Sequence, residues 1–242
     1  MEIYPAIDLI EGACVRLTEG RFDTKRKYSD SPVKIALIWK GQGAGWLHIV
    51  DLDGAKTGIP KNLDIAVEIK HKTGLKIQYG GGIRNFKTLT HVLSSGIDRA
   101  VLGTKAIRDQ VFLERCIKVY KDSVILSIDY GRDGAIFVKG WYEKTGNDIF
   151  KFIVTLEKLG IKEMIITDIS KDGTLAGVDL VFLRKILKNT KIRLIVAGGV
   201  TNLEDIINIK KLESNGIIGA IIGKALYEDK INLKDAIKIA RS

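Results

Sequence analysis

The chain has 242 residues, 45% of them apolar, and carries 39 basic against 29 acidic side chains for a net charge of +10. That is enough apolar content for a large core, and it excludes a disordered chain. No window approaches 18 uncharged apolar residues, and "MEIYPAID" lacks a basic n-region and an apolar h-region, so the expectation is a cytoplasmic protein with no membrane role.

In chain order, strand patterns fall near 2–7, 46–50, 75–79, 99–102, 123–128, 163–167, 192–197 and 218–222. Amphipathic helical patterns follow each of them, near 32–44, 61–73, 86–95, 110–120, 148–159, 179–189, 203–213 and 233–241. "RAVLG", "SVILSI" and "GAIIG" are apolar without alternation, as parallel strands covered on both faces should be. Eight β/α pairs with no Pro- or Ser-rich linker predict an α/β fold, a (β/α)8 TIM barrel in one domain spanning 1–242. A doubly wound sheet is the alternative.

The chain also repeats itself at half its length. "AIDLIEGACVRLTEG" (6–20) matches "SIDYGRDGAIFVKGW" (127–141), which pairs Asp8 with Asp129. "HIVDLDGAKTG" matches "IITDISKDGTLAG", "QYGGGIRN" matches "VAGGVTN", and "VLGTKAI" matches "IIGKAL", all in the same order. Two similar half-barrels, about 1–122 and 123–242, satisfy one another's open sheet edges by closing into one barrel.

The C-terminal strand ends of such a barrel form the active face, so Asp8 and Asp129 are expected on opposite sides of one mouth. Either one alone could simply cap a turn. The glycine pairs "GGGIRN" and "AGGVTN", with "LGTKA" and "IGKAL", predict an anion cradle in each half, because glycine lets backbone N–H groups approach a phosphate. A small molecule with a phosphate at each end fits both cradles and the basic net charge. The lysines are scattered rather than clustered with aromatics, so no nucleic-acid partner is expected.

These blocks, "PAIDL.EG..VRL..G", "H.VDLDGA", "GGGIR", "LGT.A", "SID...G...KGW", "TDISKDGTLAG", "AGGV" and "GAIIGKALYE", together resemble the ProFAR isomerases of histidine biosynthesis along the whole chain. The resemblance implies an Amadori rearrangement of a bis-phosphorylated aminoaldose to an aminoketose. Asp129 matches the general acid, Asp8 the general base, and Thr167 a threonine that orients the substrate. The expected substrate contacts are Arg16, Gly81, Gly82, Gly103, Thr104, Trp141, Asp168, Gly173, Gly198, Gly199, Gly223 and Lys224. Trp141 is placed to stack on the imidazole carboxamide, or else to pack on the rim.

The chemistry needs one acid and one base, so no cofactor or metal is expected, and no metal-ligand spacing is present. His71 and His91 fall on outer helices, and His48 lies inside a strand, so all three are read as structural. Cys14 and Cys116 are read as buried fillers. Asp51, like Asp168, ends a strand at a glycine-rich turn and is a further candidate for substrate contact.

Three other readings are open. One is the cyclase subunit of imidazole glycerol phosphate synthase, another a dual-substrate isomerase that also takes phosphoribosyl anthranilate, and the third a phosphate- or RNA-binding barrel without catalysis. "DLIEG" and "FVKGWYEKTG" favour the isomerase over the cyclase, and Lys139 before the Gly-Trp argues against the dual-substrate form. A monomer is expected. The stretches "EGRFDTKRKYSDSP" and "GRDGAIFVKGWYEKTGND" exceed ordinary βα loops and are expected to act as mobile lids.

Overall fold

The computed structural model describes residues 1–18 and 20–242, the side chain of Phe22 excepted. The first quarter of the barrel comprises β1 (Glu2–Ile10), β2 (Ala13–Thr18), β3 (Arg21–Ser29), α1 (Pro32–Gly41), β4 (Trp46–Asp51), α2 (Leu52–Thr57) and α3 (Leu63–Thr73). The second comprises β5 (Lys76–Gly80), α4 (Phe86–Ser94), β6 (Arg99–Leu102), α5 (Thr104–Arg108) and α6 (Gln110–Tyr120). The third comprises β7 (Val124–Tyr130), β8 (Ala135–Val138), β9 (Glu143–Asp148), α7 (Ile149–Lys158), β10 (Glu163–Asp168) and α8 (Leu180–Lys188). The last comprises β11 (Arg193–Ala197), α9 (Leu203–Lys210), β12 (Ile217–Ile222), α10 (Lys224–Tyr227) and α11 (Leu233–Arg241).

The parallel strands form a closed ring in the order β1-β4-β5-β6-β7-β10-β11-β12, with β12 returning to β1 and β10 pairing with β7. This is the predicted (β/α)8 barrel. Strand alternation sorts the side chains into two cores. On β4, Leu47 and Ile49 point outward onto the helices, in one continuous layer with Ile7, Ile77, Leu126, Ile166 and Leu194. The inward positions include Tyr4, Ala6, Val101, Ile125, Ile165, Ile195 and Ile221, which fill the barrel below its mouth. Strands with apolar residues on both faces therefore read as unbroken apolar runs. Each fully buried Ile or Leu contributes about 1.5–3 kcal/mol.

The helix starts repeat between halves as the sequence does. Asn85 accepts a hydrogen bond from Thr88 N at the start of α4, and Asn202 accepts one from Asp205 N at the start of α9. Each satisfies a backbone donor that a helix N-terminus leaves open.

The structure differs from the sequence reading after β1 and β7. Both long loops are antiparallel hairpins: β2 pairs with β1 and β3, and β8 pairs with β7 and β9. Glu19, first in the stretch read as a lid, lies outside the described residues. The hairpins escaped the periodicity because "RFDTKRKYS" and "EKTGND" are polar strands standing away from both cores. They extend the barrel wall upward, so Asp8 and Asp129 sit within strands that continue to Ile10 and Tyr130.

Candidate active site

Asp8 lies inward on β1 in register with Val50 of β4, and Asp129 lies inward on β7 in register with Thr167 of β10. The two carboxylates thus come from opposite sides of the ring. Asp8 Oδ2 is 2.7 Å from Arg16 Nη1 on β2, with side-chain exposures of 13% and 8%. Asp129 Oδ2 accepts the Trp141 indole N–H at 2.8 Å, and Thr167, its register partner on β10, also acts to lower the pKa of that carboxyl. Burial pushes both carboxyls up to about 6, against the pull of Arg16 on Asp8 and of Trp141 and Thr167 on Asp129. Each aspartate can therefore exchange a proton near neutrality.

That elevation has a cost in stability. A carboxyl with a folded pKa of about 6 against an ordinary 3.8 binds its proton more tightly in the folded state, so stability falls as pH rises from about 4 to about 6. Above that window the ionised, half-buried Asp129 is a burden. Asp129→Asn, whose amide oxygen can still accept from Trp141, is expected to raise stability at pH 8 by about 1–2 kcal/mol and by much less at pH 4. Thermal unfolding of both proteins at the two pH values checks this, and equal differences at both would contradict it.

A third carboxylate joins the mouth from the β10–α8 connection. Asp172 Oδ1 is 3.9 Å from Arg16 Nη2, burial raises its pKa, and its charge acts on both Asp8 and Asp129. Sequence reasoning missed it because "SKDGTLAG" is a turn-forming segment in which aspartate is ordinary. Arg16 is the hub of this cluster. Its guanidinium also lies on Gly223, where a Cβ would come within 2.1 Å of Nη2.

The second-half cradle is a small cavity of about 40 Å³ lined by Arg16, Lys171, Asp172, Gly173, Gly198, Gly199, Gly223 and Lys224. Lys224 Nζ donates to Gly173 O at 2.8 Å across its edge. Gly223 and Gly103 occupy the same place in the two halves and share an unusual backbone, with φ −107°, ψ −103° and φ −118°, ψ −118°. Gly81 and Gly198 are left-handed, and a Cβ would meet Asp51 O at 2.2 Å and Asp168 O at 2.5 Å. These two glycines are thus already required by backbone packing beneath the cradles. Gly82 packs likewise on Ile59 and Pro60, while Gly103 has open space beside it. Thr104 accepts the Lys139 N–H on its hydroxyl at 2.9 Å.

Trp141 closes the roof. Its ring lies over Gly20, where a Cβ would be 2.4 Å from Cε3, so the β2–β3 and β8–β9 turns touch across the mouth. It is the last of three consecutive left-handed residues, Lys139 (φ 57°), Gly140 (65°) and Trp141 (73°). The non-glycine members cost about 1–2 kcal/mol each.

Asp51 and Asp168 face outward, away from the mouth. Asp51 is fully buried and accepts from Gly54 N, Lys61 N, Asn62 N, Asn62 Nδ2 and Tyr79 OH at 2.6–2.8 Å. Asp168 is 6% exposed and its Oδ1 accepts from the Ser170 N–H and hydroxyl. Both tie down the turns beneath the cradles. His71 and His91 lie on α3 and α4, while His48 points into the barrel, where burial holds it neutral and its Nδ1 is 2.9 Å from Gln78 Nε2. Cys14 and Cys116 are buried free thiols. A wider cleft of about 330 Å³, between Ile59, Lys61, Lys87 and His91, lies on the outer rim away from the carboxylates. Among the described residues no cluster of three or more metal-ligating side chains occurs, and no helix is long and apolar enough to cross a membrane.

The model of the histidine biosynthesis protein family matches residues 2–232. The chain belongs to that family. Among its relatives, the 1-(5-phosphoribosyl)-5-((5-phosphoribosylamino)methylideneamino)imidazole-4-carboxamide isomerase of Thermoanaerobacter pseudethanolicus is 43% identical over 241 residues, covering 100% of both chains. The enzyme of the same name from Acetivibrio thermocellus is also 43% identical with 100% coverage of both. That of Desulforamulus reducens is 42% identical over 242 residues, 100% of this chain and 98% of its own.

Proposed function

We propose that this protein catalyses the Amadori rearrangement of ProFAR, as an aldose–ketose isomerase that works with no cofactor. The observation that carries the reading is the pair of inward aspartates with carboxyls raised to about 6 on opposite strands of one mouth. The names of the full-length relatives supply the substrate. In this reading the two phosphates are held by Gly81, Gly82, Gly103 and Thr104 at one end and by Gly198, Gly199, Gly223, Lys224 and Arg16 at the other.

Asp129, protonated, gives its proton to the furanose ring oxygen; the ring C–O bond breaks and the amine nitrogen's lone pair forms the Schiff base. Asp8, ionised, then takes the proton from C2′, and the electron pair moves to give an enolamine. Ketonisation of that enolamine yields the aminoketose. Proton donors and acceptors placed this way contribute roughly 10²–10⁴-fold each. Thr167 orients the substrate beside Asp129, and Arg16 favours the ionised form of Asp8 against burial by its direct pairing.

The deciding experiment supplies purified protein with ProFAR and follows the absorbance change, with and without ammonia. Equal turnover in both is expected. Turnover that requires ammonia would indicate the cyclase, and none in either would remove the catalytic reading.

A further inference from the structure

The tip of the β8–β9 hairpin adopts a conformation its own residues disfavour: Lys139, Gly140 and Trp141 have φ of 57°, 65° and 73°, and only one of them is glycine. Such a turn persists only when contacts outside it hold it. Two such contacts lie at its ends. The Lys139 backbone N–H donates to Thr104 Oγ1 at 2.9 Å, and the Trp141 indole N–H donates to Asp129 Oδ2 at 2.8 Å. Glu143 adds ion pairs to Lys139 Nζ, at 2.9 Å, and to Arg108. With Lys139 58% and Glu143 41% exposed, those pairs are surface contacts of small worth. Thr104 is different. It is half-buried at the start of α5, whose Ala106 and Ile107 are buried against the barrel, so its hydroxyl is a fixed point.

We propose that Thr104 is a positioning residue for Asp129, its hydroxyl clamping the Lys139 backbone and so seating the Trp141 indole on the Asp129 carboxylate. This deepens, and rests on, the reading of Asp129 as proton donor. An indole N–H can only donate, so its bond favours the ionised carboxylate. Asp129 is faced by Trp141 from the hairpin tip, by Thr167 on β10 and by Asp172 from the β10–α8 connection, and Asp172 is itself faced by Arg16 and Lys224. Of these three residues, Trp141 alone is itself left-handed, so the seat of its indole depends on contacts that hold the hairpin tip from outside. Valine at position 104 keeps the shape of threonine and removes the acceptor; serine keeps the hydroxyl.

The test uses the full chain labelled with 13C at aspartate carboxyls, Asp129 being assigned from Asp129→Asn, with its titration followed by NMR. Thr104→Val and Trp141→Phe are both expected to move the Asp129 midpoint upward by roughly half to one pH unit, the effect of losing one donor to a carboxylate. Thr104→Ser should titrate as wild type, and Thr104→Val with Trp141→Phe should move it no further than Trp141→Phe alone. If the valine variant does not fold, Thr104→Ala takes its place. A Thr104 variant without the hydroxyl that keeps the wild-type midpoint overturns the proposal, as does a serine variant that shifts or a Trp141→Phe variant that does not. The titration needs no substrate, so it is separable from the catalytic reading. Normal turnover by Asp129→Asn removes that reading and leaves the clamp as measured.

Discussion

Asp8→Asn and Asp129→Asn are each expected to fold, to keep their affinity for ProFAR and to lose turnover at saturating substrate by roughly 10²–10⁴-fold. Binding survives because the cradle glycines Gly82, Gly103, Gly199 and Gly223 belong to other connections of the rim, and an asparagine amide at position 8 can still accept from Arg16, which lies on Gly223. The loss falls on kcat because each carboxyl acts on an atom whose bonding changes only in the reaction. Wild-type kcat/KM should be bell-shaped in pH and greatest near 6, since both carboxyls are raised to about 6 and one must be protonated while the other is ionised. The two apparent values belong to the pair. The mutant that loses one limb assigns that limb to its residue. If these aspartates served only as turn caps, their loss would cost about 1 kcal/mol of stability and leave catalysis intact. Near-normal turnover in either Asn variant would sink the assignment.

The largest effect on stability is expected at Asp51, which touches no substrate in this reading. Asp51→Ala removes the acceptor for five donors, two of them from Asn62 and one from Tyr79 OH, at a fully buried position. Stranded buried donors cost about 1–3 kcal/mol each where they find no new partner, so a total of roughly 3–5 kcal/mol is expected after relaxation. For a chain of this length that is about a 10 °C fall in Tm. Asp168→Ala should fall by much less, because its Oδ1 serves only Ser170. Thermal unfolding of the two variants side by side is the measurement, and equal losses would show that the donor count does not set the stability of these turns.

The barrel was legible because its physics is periodic. Parallel strands covered on both faces make apolar runs, and the covering helices repeat apolar residues every three or four positions. The repeat then brought Asp8 and Asp129 together without any structural information. Its limit was the polar wall above the barrel: the described side chains of β3 and those of β9 bury little, so no hydrophobic pattern marks them. Asp51 and Asp8 look alike in sequence, each ending an apolar run. They differ by strand phase, since Asp51 shares the outward face with Leu47 and Ile49 while Asp8 shares the inward face with Tyr4 and Ala6. Asp172 shows the opposite failure, a residue placed at the mouth by tertiary folding of a turn with no pattern of its own.

The contact between Gly20 and Trp141 has a geometric consequence. The two residues hold the same position in the two repeats, and they touch. Equivalent positions that meet must lie beside the approximate twofold axis of the barrel, where a side chain encounters its own image. With a Cβ at position 20 only 2.4 Å from the Trp141 ring, an indole on one repeat leaves room for no side chain on the other. The floor of the mouth, with matched carboxylates and matched glycines, could accept a two-armed molecule either way round. The roof cannot be matched in the same way, so the axis itself makes the site handed, and head-to-tail reversal of a ligand becomes a distinguishable, unequal pose.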